Sequence, residues 1–157
     1  MPFSDPMADG PAIQQSSLRA LSNGQDMKRT LSMVKEFRIQ NDHTPIILMG
    51  YYNPILQFGT ENFLKECALM EIDGLIVVDL PIEHGQELSI PAKKAGIDFI
   101  NFITPTTSSE RLQSIIKVSS GFLYYVSIAG ITGTKAPEVK ELEAVSYTHL
   151  RAHETHE

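Results

Sequence analysis

Cys67 is the only cysteine among the 157 residues, so no disulfide can form within the chain. It falls in the stretch FLKECALM, where a lone thiol reads as buried packing in a reducing compartment and not as a nucleophile. Long apolar runs are missing too. The longest, such as Leu75 to Val78, fall far short of the roughly 20 residues a helix needs to cross a bilayer. No basic-then-apolar segment opens the chain in the manner of a secretory signal, and Pro2 and Asp5 stand there instead. Basic residues are the minority, 13 Lys and Arg against 19 Asp and Glu, for a net charge of −6. A nucleic-acid partner would demand a clustered basic face, so that class is disfavoured. What remains, 42% hydrophobic and 20% charged, is an ordinary globular composition with length enough for one core, expected in the cytoplasm.

The apolar pattern alternates between two kinds of segment. Ala12 to Leu21 and Asp26 to Phe37 carry helical periodicity, with Gly24 between them and Asp26 as a plausible N-cap. Ile46 to Met49 is a continuous apolar run, the mark of a strand buried on both faces. Tyr51 to Phe58 reads as a loop with at most a turn of helix, and Thr60 as the cap of a helix through Met70. A second buried strand spans Gly74 to Val78 and a third Asp98 to Ile103. Between them a helix is expected from Glu83 to Lys94, split or starting late because Pro91 removes one of its hydrogen bonds. Ser108 or Ser109 should cap a helix over Glu110 to Val118, ahead of a fourth strand from Gly121 to Val126. A small-residue loop, Ser127 to Thr134, and a weak helix from Pro137 to Ala144 complete the pattern.

Strand and helix thus repeat about every 25 residues, the signature of βα units on a parallel sheet. No Gly-rich phosphate fingerprint follows any strand, which weighs against an open doubly wound sheet. Polar residues lie just beyond the strand ends (Tyr51 and Asn53, Asp79, Thr104), as on the functional face of a barrel. The predicted fold class is therefore α/β, a partial (β/α)8 TIM barrel of about four βα units. A complete barrel has eight strands and typically ~250 residues.

The segment PFSDPMADGPAIQ, Pro2 to Gln14, sets Asp5 and Asp9 four residues apart among Pro2, Pro6, Gly10 and Pro11. Prolines fix their own φ and bias the residue before them away from helix, so the segment is a stiff irregular loop ahead of a helix. Such loops hold catalytic groups in place before substrate arrives. Aspartates also cap turns and helices, and spacing alone leaves both roles open.

PFSDPMADGPAIQ resembles the signature loop of the tryptophan synthase alpha subunit family. LMGYYNPI, DGLIVVDLP and SIAGITG resemble three further blocks of that family, in the family's order. The resemblance implies a TIM-barrel lyase that splits indole-3-glycerol phosphate into indole and glyceraldehyde 3-phosphate by a retro-aldol step. It implies a catalytic role for Asp9, as acceptor of the indole N–H. It implies substrate-binding roles for Tyr51, Ile76, Ile103 and Tyr124, and makes the Ser127 to Thr134 loop a lid whose Thr132 closes onto Asp9. Asp5 and Asn53 match positions facing the tryptophan synthase beta subunit, the partner that carries pyridoxal phosphate, and the alpha subunit itself needs no cofactor.

A second catalytic carboxylate and the family's phosphate loops match no residue of this chain. The reading is accordingly of residues 1–144 as a fragment of the lyase domain, inactive alone. The stretch 145–157, VSYTHLRAHETHE, lacks apolar periodicity and is expected to be a non-native, unstructured tail. Its three histidines, His149, His153 and His156, do not form HExxH, so no metal site is expected. Two other readings remain: a non-catalytic module docking on the beta subunit, and another phosphate-binding TIM-barrel enzyme.

Overall fold

The computed structural model describes residues 1–126. The expectations for Thr132, for the Ser127 to Thr134 loop, for the Pro137 to Ala144 helix and for the 145–157 segment lie outside them.

Six helices and four strands follow in the order α1 (Pro11–Ser22), α2 (Met27–Gln40), β1 (Ile47–Gly50), α3 (Tyr52–Phe58), α4 (Thr60–Leu69), β2 (Gly74–Val77), α5 (Gln86–Lys94), β3 (Asp98–Ile103), α6 (Ser109–Val118) and β4 (Leu123–Tyr125). The strands form one parallel sheet in sequential order, β1-β2-β3-β4. A doubly wound sheet must reverse its strand order once to place helices on both faces. Here the order never reverses, and right-handed crossovers put the helices on one side, as in a barrel wall.

Register shows which side each strand residue serves. Leu48, Leu75 and Phe99 are aligned across three strands, and with Val77 they join a core completed by Phe63, Leu64 and Cys67 of α4 and Leu88 and Ala92 of α5. Fully burying such side chains contributes ~1.5–3 kcal/mol each. Ile103 joins Leu112 and Ile115 of α6 in a second cluster, with Leu123 and Tyr125 against it. The alternating positions, Met49, Ile76, Ile100, Phe102 and Tyr124, therefore share the opposite face, the side a barrel turns inward.

Local signals place most of these elements. Asp26 accepts from the Arg29 N–H at 2.8 Å and Ser108 from the Arg111 N–H at 3.2 Å, capping α2 and α6. Two expectations need correction. Tyr52–Phe58 is a seven-residue helix and not a loop, because the Asp79 carboxylate, 27 residues away in sequence, accepts the Tyr52 N–H at 2.7 Å. The N-cap of α4 is Gly59, not Thr60. The corner between α3 and α4 needs φ +89°, which glycine adopts without strain, and the Thr60 hydroxyl caps nothing. α5 starts late, at Gln86, which is one of the two outcomes expected for it, and then runs unbroken through Pro91. α1 forms where expected but buries none of its residues, leaving Ile13 and Leu18 about half exposed.

At the other end of the sheet, Arg38 gathers the loops ahead of β1 and β2. Its guanidinium donates to the Glu71 and Thr44 carbonyl oxygens and pairs with Asp73 at 2.7 Å, and the same Asp73 oxygen accepts the Ile46 N–H. In barrel enzymes this end of the strands serves stability and the C-terminal ends carry the chemistry.

Candidate active site

The stiff opening segment lies over the C-terminal end of β1. Within it the Asp9 N–H donates to the Pro6 carbonyl oxygen at 3.1 Å, and the Gln14 side-chain amide donates to the Asp9 carbonyl oxygen at 3.0 Å. Pro6 is buried and Asp9 half-buried. One residue beyond β1, the Tyr51 hydroxyl accepts from the Ala8 N–H at 2.9 Å and donates to Asp9 Oδ2 at 3.0 Å. The Phe3 ring lies on the Tyr51 ring, centroids 5.4 Å apart. Asp9 Oδ1 has no partner among the described residues, so the carboxylate is oriented through one oxygen and open at the other.

Burial, then the hydrogen bond and charge of Asp9 and the charge of Asp79, hold the Tyr51 phenol above its ordinary range, with the Ala8 N–H acting the other way. At neutral pH the phenol is thus a donor. The Met1 amino group donates to the Met49 carbonyl oxygen at 2.9 Å, and burial lowers its pKa while Asp9 partly offsets this.

The other predicted site residues divide. Ile76 and Tyr124 lie on the face of the sheet opposite the helices, Ile76 buried there at 4% and Tyr124 42% exposed. Ile103 does not. It packs on Leu112 and Ile115 of α6, so its side chain points away from the face that carries Ile76 and Tyr124. Its neighbour Phe102 takes that place, in edge-to-face contact with Tyr124 at 5.3 Å between centroids. Met49, 42% exposed and in register with Ile76, is a second open-face residue that the sequence reading passed over. Counting by twos back from β4 through the sheet register would have found both.

Asp5 and Asn53 are exposed and contact none of these groups, and the Ser4 hydroxyl donates to Asp5 Oδ2 at 2.5 Å. Asp5 lines a groove of about 270 Å³ with Ser4, Pro6, Met7, Gln14 and Leu18. A larger one, about 320 Å³, lies beside Lys35, Arg38 and Glu71, at the end of the sheet away from Asp9. Among the described residues no group of three His, Cys, Asp or Glu side chains could hold a metal ion.

A carboxylate fixed at the C-terminal end of barrel-type strands, beside an apolar open face, agrees with what comparison with known proteins finds. The model of the tryptophan synthase alpha chain family matches residues 1–155. The chain belongs to that family. A tryptophan synthase complex from Pyrococcus furiosus is 46% identical over 79% of this chain and 51% of its own, with a TM-score of 0.75. Tryptophan synthase subunit alpha from Legionella pneumophila is 41% identical over 97% of this chain and 55% of its own, with a TM-score of 0.83. A further Pyrococcus furiosus structure, of the α2β2 complex, is 43% identical over 96% and 60%, with a TM-score of 0.84. The fold is that of these alpha subunits. The chain spans between half and three-fifths of their length.

Proposed function

We propose that the protein carrying this chain is a tryptophan synthase alpha subunit, a lyase cleaving indole-3-glycerol phosphate into indole and glyceraldehyde 3-phosphate. The observation that carries the reading is Asp9, held by Tyr51 through one oxygen and with its other oxygen unpaired among the described residues. In the retro-aldol step the indole C3 takes a proton, the glycerol hydroxyl loses one, and the carbon–carbon bond between ring and glycerol chain breaks to leave the aldehyde. Positive charge develops on the indole nitrogen along the way. The free oxygen of Asp9 would accept the indole N–H, and that bond strengthens as the charge grows, so it acts chiefly in the transition state. Met49, Ile76, Phe102 and Tyr124 would supply apolar walls for the ring, and Thr132 would close over Asp9.

No resident cofactor is needed by this chemistry. The beta subunit, with its pyridoxal phosphate, is the proposed partner, docking where Asp5 and Asn53 are exposed. The cytoplasm is the proposed location, in keeping with a single buried cysteine and with described helices none of which is long and apolar enough to cross a membrane. We propose also that residues 1–144 supply the lyase-domain part and that 145–157 add nothing to it.

The test is Asp9→Asn in the whole subunit, by steady-state kinetics of indole release. Turnover should fall ~10²–10⁴-fold, with a smaller change in KM. Near-normal turnover would return Asp9 to a turn-capping role.

A further inference from the structure

We infer that Tyr51 serves the proposed reaction through Asp9, as the residue that positions its carboxylate, and is not a wall of the substrate pocket. The inference rests on the lyase reading for what Asp9 does, but the contact itself is a property of this chain. Tyr51 is only 4% exposed, and its ring is covered by Phe3. Its hydroxyl is spent within the protein. The Ala8 N–H occupies a lone pair, so the single O–H proton is directed to Asp9 Oδ2. Ala8 and Asp9 are consecutive in the loop, so one phenol oxygen fixes both the backbone and the side chain of the same turn.

Tyr51 is itself held firmly. It follows directly on β1 and occupies the N-cap position of α3, and the next N–H is tied to Asp79 at 2.7 Å. Two ordered elements thus set the phenol, and the phenol sets the carboxylate, leaving Oδ1 as the open acceptor. Tyr124 makes the contrast. It is 42% exposed on the open face, and its hydroxyl has no partner among the described residues. Of the two tyrosines it is the one available to a ligand.

A purely structural tie would also lower activity when cut, so the experiment must separate the two roles. In the whole subunit, Tyr51→Phe keeps the ring and removes only the directed proton. Turnover should fall about tenfold, the scale of a hydrogen bond to a charged group, with KM within about twofold. In the Asp9→Asn background the same change should cost nothing further, because a positioning residue has nothing left to position. Equal losses in both backgrounds, or a loss appearing in KM, would overturn the inference.

A second arm needs no activity. In the 157-residue chain, Tyr51 is identified as the ionisation lost in Tyr51→Phe, followed by difference absorbance. Asp9 and Asp79 are the carboxylates whose charge bears on its phenol, and Asp9 bears also on the Met1 amino group. The phenol should ionise above its ordinary value of 10, and Asp9→Asn should bring it down toward that value. A Tyr51 whose ionisation is the same with and without the Asp9 carboxylate would show that its hydroxyl is not on Asp9. If the unsubstituted subunit releases no indole, the lyase reading has failed, and this titration still decides the contact.

Discussion

Cys67 sits on α4 with none of its surface exposed, and burial, with a smaller effect from Glu66, pushes its thiol up to about 12. At neutral pH almost no thiolate exists, so native protein should resist iodoacetamide and react fully once unfolded. Because the folded thiol holds its proton more tightly than the unfolded one, its contribution to stability is intact below the ordinary value of 9. It is lost as pH rises from there toward 12. Rapid labelling of the native protein at pH 7 would place Cys67 at the surface. Two adjacent residues of β3 offer a sharper contrast. Ile103→Ala should open a cavity against Leu112 and Ile115 and cost ~2–5 kcal/mol in urea unfolding. Phe102→Ala removes a ring from the partly exposed face and should cost less. The reverse order would mean that Ile103 faces the open side after all.

Among the elements, α5 carries an evident local fault. Pro91 is its sixth residue, so the Glu87 carbonyl has no N–H four residues on to receive. The helix is kept by its contacts, since Leu88 and Ala92 are fully buried against the sheet. Pro91→Ala restores the missing donor at a half-buried position and should raise stability by ~1–3 kcal/mol, visible as a higher Tm. An unchanged or lower Tm would show that the proline ring packs better than a methyl group and its missing bond. The caps of α2 and α6 were legible in the sequence because Asp26 and Ser108 lie three residues from the N–H groups they accept. The helix Tyr52–Phe58 was not, because its cap, Asp79, arrives from the loop after β2.

For the whole molecule, the sheet has its helices on one side and an apolar face bearing Met49, Phe102 and Tyr124 on the other. The four strands among the described residues are half the number that closes such a barrel. Expressed as these 157 residues, the chain should therefore release no indole above background at saturating indole-3-glycerol phosphate. It presents Asp9 without a matching second carboxylate, and losing a catalytic acid alone costs ~10²–10⁴-fold. Release above background would demand a proton donor not recognised in the sequence.

Apart from the helix Tyr52–Phe58, the element order, the parallel sheet, the barrel class and the place of Asp9 on a rigid loop were determined by the sequence alone. Each depends on neighbours a few residues apart: helical periodicity, unbroken apolar runs, prolines and caps. Tertiary structure decided the rest. DFINFI has four apolar residues that do not alternate with its polar ones, so nothing in the run itself says which of Phe102 and Ile103 faces the helices, and register with β4 and packing on α6 settle it. The contact between Tyr51 and Asp9 joins residues 42 apart, and only the packing of the opening loop over β1 brings the phenol to the carboxylate.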